Sequence, residues 1–329
     1  MSLSICIPTF NRPIQLENCL NSLALQTNKN FEVCVSDNNS SYKVKKLINT
    51  FKKKLNIRFS KNNKNIGFAK NLLKATSMAQ NEFIWLLGDD DLLINSAVDT
   101  LLKKIEKNYE CDFFWVNSFY LNYNKLKKFP HPFNTRNLPK KLRKHSNLLY
   151  DKKLNFFDLI DYRIGFDYLL GIFLCVFRKE KWISNLKHVD KNSLKDLRTW
   201  SNFENTCFHV KIFCKAFKKS KAFFCAKPLS VSLHGVREWD KLYPFIEIIR
   251  IPEVLDCCRK NGMKLIPYLI NKNYSLKNFF NYFYKILIGG KDYGLQYVNF
   301  KKHFFYNLIF PNSWLSIIYF LNRRIKLIK

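Results

Sequence analysis

Glu82-Phe83-Ile84-Trp85-Leu86-Leu87-Gly88-Asp89-Asp90-Asp91 is the segment that sets the architecture of this chain. An apolar, β-rich run breaks at a glycine and then at three adjacent acids. Residues 82–87 are therefore expected as a strand, with the triplet at its carboxyl end. Three neighbouring carboxylates repel one another, and a folded chain tolerates them best where a cation sits. At a strand end they can offer oxygen ligands to Mg²⁺ or Mn²⁺, which in turn bind phosphate oxygens. The plainer alternative is a solvated turn in which one Asp caps the following helix.

The sequence on either side supplies the context. Residues 3–7, 31–36 and 57–60 are β-rich, and they end at Pro8-Thr9, at Asp37-Asn38-Asn39-Ser40-Ser41 and at a loop over 62–67. Helical patterns alternate with them. Leu16, Leu20 and Leu23 share a face behind Arg12-Pro13, a basic helix covers 42–54, and Phe68, Leu72, Ala75 and Ala79 mark a third. Ala97, Leu101 and Ile105 give a further helix, and 112–118 a further strand. Strand alternating with helix predicts an α/β fold: a Rossmann-like, mostly parallel sheet flanked by helices. Ligands bind such sheets beyond the carboxyl ends of the strands, where each of these polar clusters falls.

Two more clusters fit that position. Asp37 can accept a hydrogen bond from a base N–H, or simply close an Asx turn. In Asn65-Ile66-Gly67-Phe68-Ala69-Lys70-Asn71, Gly67 permits close backbone approach at a helix start, where amides and Lys70 favour a pyrophosphate. By itself, Asn-x-Gly is also an ordinary turn.

In order, Ser4-Ile5-Cys6-Ile7-Pro8-Thr9-Phe10-Asn11-Arg12, Val35-Ser36-Asp37-Asn38-Asn39-Ser40, Asn65-Ile66-Gly67 with Asn71, and Gly88-Asp89-Asp90-Asp91 resemble family-2 inverting glycosyltransferases of the GT-A fold. The resemblance covers the first 120 residues well and the next 115 loosely. It implies that the triplet corresponds to the family's DxD motif. Pro8, Thr9 and Arg12 would line a nucleotide pocket, and Asp37 would touch the base. Asn65, Gly67, Lys70 and Asn71 would sit by the ribose and pyrophosphate. Asp89 and Asp91 would bracket the ribose and a Mn²⁺ or Mg²⁺ ion, with Asp90 between those roles. Where the family often has a second acid after the Asp37 turn, this chain has Tyr42. A general base is expected in Ser201-Asn202-Phe203-Glu204-Asn205-Thr206-Cys207-Phe208-His209, as Glu204 or His209. Their plain alternatives are a helix N-terminal acid and a core histidine. In Leu233-His234-Gly235-Val236-Arg237-Glu238-Trp239, His234 and Arg237 would approach the diphosphate, or form an ordinary surface loop.

The chain then divides into 1–120, a nucleotide-sugar-binding α/β half; 121–240, the acceptor-binding and base-bearing half of the same domain; and 241–329, a helical, basic and aromatic C-terminal extension. Residues 121–150, with Pro130, Pro132 and Pro139, read as a long loop. Residues 151–235 read as mixed, with helices near 154–163 and 203–218.

Composition constrains the partners. Apolar residues make up 47%, enough for a sizeable core, and 56 Lys+Arg against 25 Asp+Glu give a formal charge of +31. Such an excess suits a polyanionic or anionic partner, unless it is only drift toward solvated lysines. The ten cysteines form no CxxC pair and lie mostly in apolar runs, as small buried hydrophobes of a reducing compartment do; a zinc site is not expected. No leader-like segment precedes Pro8, and no apolar run reaches the ~18 residues of a spanning helix. From 276 to the end, aromatics alternate with cations, including Arg323, Arg324 and Lys326. That pattern suits an interfacial helix, base stacking or a plain helical cap.

The resulting expectation is an enzyme that transfers sugar from a UDP-, dTDP- or GDP-linked donor to a glycan or lipid-linked acceptor in surface polysaccharide or lipooligosaccharide assembly. It would be cytoplasmic, peripheral on an anionic inner membrane face, and would bind no nucleic acid. A basic nucleic-acid binder shows no recognised motif and would need an acid cluster near phosphate. A metal-dependent nucleotidyltransferase would carry glycines after its first strand, where this chain has Pro8-Thr9-Phe10-Asn11-Arg12.

Overall fold

Strand β1 (Leu3–Thr9) is buried along its whole length and pairs in parallel with β2 (Phe31–Asp37) and β4 (Phe83–Leu86). Strands buried on both faces read as near-continuous apolar runs, and the polar exceptions within them are bonded, as where Glu32 accepts from Ser4 and pairs with Arg58. In the computed structural model, residues 2–235, 237 and 239–328 are described, without the side chains of 319 and 322–328. Arg323, Arg324 and Lys326 thus lie outside the described side chains, and Val236 and Glu238 outside the described residues.

One sheet runs in the order β3-β2-β1-β4-β9-β6-β10-β5. The remaining strands are β3 (Ile57–Lys61), β5 (Asp91–Leu93), β6 (Cys111–Asn122), β7 (Arg143–Lys144), β8 (Lys152–Asn155), β9 (Cys175–Arg178) and β10 (Lys221–His234). β3, β2, β1, β4, β6 and β10 share one direction, and the short β9 runs against its neighbours β4 and β6. β7 and β8 pair antiparallel with β6 and β10. This is a mostly parallel α/β sheet, as the sequence predicts.

Helices α1 (Pro13–Ala24), α2 (Val44–Phe51), α3 (Phe68–Ser77) and α4 (Ala97–Lys107) lie between the early strands. The leucines expected to share a face, Leu16, Leu20 and Leu23, are all buried in α1. Pro13 opens that helix, where its missing N–H costs nothing.

The later chain departs from expectation in places. The helix expected near 154–163 is instead β8 followed by a 3₁₀ turn, Phe156–Leu159. Pairing of Leu154 with Ala222 on the sheet edge outweighs the helical pattern, and a capping box between Asn155 and Asp158 starts the turn. The helix expected over 203–218 is a one-turn helix, Phe203–Thr206, then α6 (Phe208–Ala216) after α5 (Lys179–Asn185). The 121–150 loop carries the turn Tyr123–Leu126 and β7, and Phe133 anchors it in a small second core with Leu92, Leu121 and Val231. Helices α7 (Ile251–Lys260), α8 (Leu265–Ser275), α9 (Phe279–Gly289) and α10 (Pro311–Ile328) close the chain. None of the ten cysteines is in a disulfide.

Candidate active site

The parallel pairing puts the carboxyl ends of β1, β2 and β4 on one side, with Thr9 in register with Asp37. Leu87 N–H still bonds Cys6 C=O, and beyond it the chain turns sharply at Gly88. A Cβ on Gly88 would sit 2.7 Å from both Asp90 Oδ1 and Asp91 Oδ2, so a side chain there would push these carboxylates out of their present positions. Asp91 opens β5, whose pairing with β10 sets Asp91 opposite Ser232.

A cavity of about 430 Å³ opens there. Of the residues expected at the site, Pro8, Thr9, Arg12, Asn65, Gly67, Asn71, Asp89, Asp90, Asp91, His209, His234 and Arg237 line it; Asp37, Lys70 and Glu204 do not. Thr9 Oγ1 donates to Asp89 Oδ2 at 2.8 Å. Arg12 Nη1 lies 3.4 Å from Asp89 Oδ1 and 3.2 Å from Asp90 Oδ2, and Arg237 Nε is 3.5 Å from the same Asp90 oxygen. Asp91 Oδ2 accepts from Gly88 N–H at 3.0 Å, while its buried Oδ1 has no partner.

The electrostatics follow from this enclosure. Burial pushes Asp89 up to about 7, with Asp90 adding to the rise against the pull of Arg12 and Thr9. Burial and then Asp90 raise Asp91 well above the carboxylate range, against Arg237. Two buried acids that resist ionisation, one with an orphan oxygen, make a corner suited to added positive charge. Among the described residues, no group of three His, Cys, Asp or Glu side chains is arranged to hold a metal.

Asp37 is fully buried; its Oδ1 accepts from Ser40 N–H at 2.9 Å and its Oδ2 is unpartnered. Asn65 Oδ1 accepts from Asn38 and from Gly67 N–H at 2.9 Å, and Gly67 has φ +82° ahead of α3. The Asn71 amide ties strand ends together, donating to Ser36 C=O at 3.0 Å and to Thr9 C=O at 3.4 Å. Lys70 lies in a small cleft beside Asp196 and Asn205.

Glu204 accepts from Lys211 Nζ at 2.9 Å. His209 bonds the Leu169 carbonyl through Nε2 at 3.1 Å, and burial lowers it to about 4. His234 is likewise lowered to about 4, by burial and then by Arg237 and His145.

The structure adds a carboxylate the motifs did not single out. Asp167 lines the cavity, with His145 Nδ1 at 3.0 Å and the Tyr120 hydroxyl at 3.4 Å from its Oδ2. An ionised carboxylate only accepts, so the imidazole donates. Burial alone would raise Asp167, but the His145 hydrogen bond and the charges of His145, Arg237 and His234 outweigh it and hold Asp167 below the usual range. Tyr120 stacks on His145 with centroids 3.6 Å apart. Tyr168 and Trp200, both on the cavity rim or next to it, have positive φ of 47° and 69°. Strained backbone of this kind persists where the surroundings enforce it. One signal of Asp167 was legible: a lone acid in the apolar run Ile164-Gly165-Phe166-Asp167-Tyr168-Leu169-Leu170.

Fold and site together define the class: a GT-A-type α/β fold with an acid cluster facing a cavity at the carboxyl ends of its strands. Residues 4–164 match the family model described as glycosyl transferase family 2, and that span is similar to the family. Abequosyltransferase RfbV of Salmonella typhimurium is 34% identical over 119 residues, covering 34% of this chain and 36% of that protein. A Campylobacter jejuni protein, GalNAc(5)-diNAcBac-PP-undecaprenol beta-1,3-glucosyltransferase, is 34% identical over 110 residues, covering 32% and 35%. The matched stretch thus spans about a third of these relatives. S. aureus TarS 1-349 in complex with UDP superposes with a TM-score of 0.56 at 17% identity, over 85% of this chain and 72% of that one. Mannosyltransferase PcManGT from Pyrobaculum calidifontis, with GDP-Man and Mn²⁺, gives 0.50 at 12% identity, over 89% and 78%.

Proposed function

We propose that this chain is a glycosyltransferase that moves a sugar from a UDP-, dTDP- or GDP-linked donor to a glycan or lipid-linked acceptor. Inversion and a place in surface-glycan assembly belong to the same proposal; the likeness to family 2 and the names of the relatives support it. The observation that carries the proposal is the enclosure of Asp89, Asp90 and Asp91 with Arg12, Arg237 and Asp167 in one cavity.

Mn²⁺ or Mg²⁺ fits the corner at Asp89 and Asp91: both carboxylates are buried, Gly88 leaves them room, and Asp91 Oδ1 has no partner. Two carboxylates completed by donor phosphate oxygens are a usual arrangement for such ions. Bound there, the ion would supply positive charge for the departing diphosphate. Arg12 and Arg237 would share that work and hold the donor. Asn65, Gly67 and Asn71 would shape the pocket beside the ribose, with Asp37 behind it.

In a single displacement the acceptor hydroxyl must lose its proton as it attacks. Asp167 suits this better than Glu204 or His209. Its carboxylate is in the cavity and held ionised, whereas Glu204 pairs with Lys211 away from it. His209 spends Nε2 on the Leu169 carbonyl at 3.1 Å, so that nitrogen already carries its proton and cannot accept another. His145 would orient Asp167 through Nδ1.

Screening UDP-, dTDP- and GDP-sugars for thermal stabilisation with and without Mn²⁺ tests the proposal. Stabilisation by one nucleotide class is expected, about 2–3 kcal/mol at a hundredfold excess over Kd, and it should need the metal and Asp91. Stabilisation by none of them, or equally in Asp91→Asn, would defeat it. The proposed place of work is the inner face of the cytoplasmic membrane, favoured by the +31 charge. Among the described residues no helix is long and apolar enough to cross a membrane.

A further inference from the structure

Helices α8 and α10 are built inside out. In α8 the buried residues are Asn271, Lys272 and Ser275, while Leu265, Ile266, Leu269 and Ile270 face outward. In α10, Ser313 and Ser316 are buried, and Trp314, Leu315, Ile318 and Leu321 form an exposed stripe at helical spacing. The exposures are large: 70% for Ile266, 77% for Ile309 just ahead of α10, 54% for Trp314 and 55% for Ile318. The inward polar groups are all engaged. Asn271 bonds Ile160 C=O and Tyr162 N–H, Ser316 Oγ accepts from Phe280 N–H, and Ser313 Oγ donates to Asn307 C=O. The two helices meet where Asn312 N–H and Nδ2 bond Asn273, so their outward faces belong to neighbouring surfaces.

Apolar side chains turned outward on two adjoining helices mark an interaction surface rather than scattered exposure. Charge selects its occupant. From Lys260 to Lys329 the chain has twelve Lys and Arg and one acid, Asp292. A second copy would bring the same positive field and be repelled. A bilayer with anionic headgroups accepts both the apolar stripe and the cations. Nucleic acid would meet the cations but would leave Ile266, Leu269, Ile270 and Ile318 in water.

We propose that the outward faces of α8 and α10, with Ile309, form a monotopic docking surface that lies in an anionic membrane interface without crossing it. This deepens the membrane part of the function proposed above. The inward face of α8 also holds a segment next to the cavity: Asn271 accepts from the hydroxyl of Tyr168, the residue after Asp167, at 3.2 Å. The docked helix thus buttresses the loop that carries the proposed base.

The test is co-sedimentation of the full chain with phosphatidylcholine vesicles containing or lacking phosphatidylglycerol, at low and high salt. Ile266→Glu and Ile318→Glu are compared with the parent, and sugar-nucleotide binding in vesicle-free solution is measured for each. Binding should need the anionic lipid, fall with salt and weaken about tenfold or more in each variant. Brominated lipid should quench parent fluorescence, and Trp314→Phe should remove that quenching. Donor binding without vesicles should be the same in parent and variants, so loss of donor binding in all proteins would defeat the transferase reading and leave this one standing. Unchanged vesicle binding in both glutamate variants, or no quenching difference in Trp314→Phe, would overturn the docking surface. So would a dimer that dissociates in Ile318→Glu, or RNA binding in place of vesicle binding.

Discussion

The cavity holds two kinds of carboxylate, and they behave oppositely. Asp89 and Asp91 are pushed up by burial and by each other's neighbour Asp90, whereas Asp167 is held down by His145. The residue type is the same, and all three carboxylates line one cavity. The difference lies in the balance: at the triplet, burial and mutual repulsion outweigh the bonds from Thr9 and Gly88, whereas at Asp167 the His145 bond and the surrounding positive groups outweigh burial. One side is left wanting a cation, and the other is ready to take a proton. Opposed proton affinities across one cavity are a way to assign acid–base roles.

The sharpest way to break this contrast is Asp167→Asn. Removing the base while keeping shape should lower kcat by up to about 10⁴-fold and leave the donor Kd unchanged. Full turnover with intact Asp167→Asn, lost instead in Glu204→Gln, would move the role to Glu204. On the other side of the cavity, Asp91→Asn should cost on the order of 10³-fold in rate and also weaken metal-dependent donor binding. Calorimetric titration of donor with Mn²⁺ separates the two effects, since only the triplet variant should lose the metal dependence.

The histidines offer a third probe. His209 is held at about 4 against an ordinary value near 6.5, so the folded state refuses a proton that the unfolded chain accepts. Stability must then fall as pH drops from 6.5 toward 4, by roughly 2 kcal/mol between pH 7 and 5 for this residue. Urea melts at the two pH values measure it, and His209→Gln should flatten the slope. The smallest expected effect is His145→Asn, with about tenfold lower kcat at neutral pH. The acid limb of the rate profile should also move upward, because Asp167 would lose the partner that lowers it. An unmoved limb would reduce His145 to a packing residue.

Much of the site was legible because its parts are contiguous. The triplet, the Thr9–Arg12 segment and the Asn65–Asn71 segment each end or follow a strand, and parallel pairing gathers strand ends. Glu204 illustrates the limit. It stands where a base was expected along the chain, yet a lysine seven residues further on, Lys211, takes its carboxylate. Asp167 and His145 are brought together by β6, β7 and an irregular loop, for which no local pattern exists. The helix expected near 154–163 gave way to β8 for a related reason: an open edge on β10 was available, and sequence periodicity does not register a partner strand.

The chain alone determined the alternating strands and helices of the first 120 residues, the acid triplet, and the basic, aromatic character of the tail, because period, adjacency and charge are local properties. Tertiary structure alone decided which carboxylate is held ionised in the cavity, where Glu204 and Lys70 point, and that two terminal helices turn their apolar faces outward. Those outcomes depend on which groups meet across the fold, and burial and electrostatics act through space rather than along the sequence.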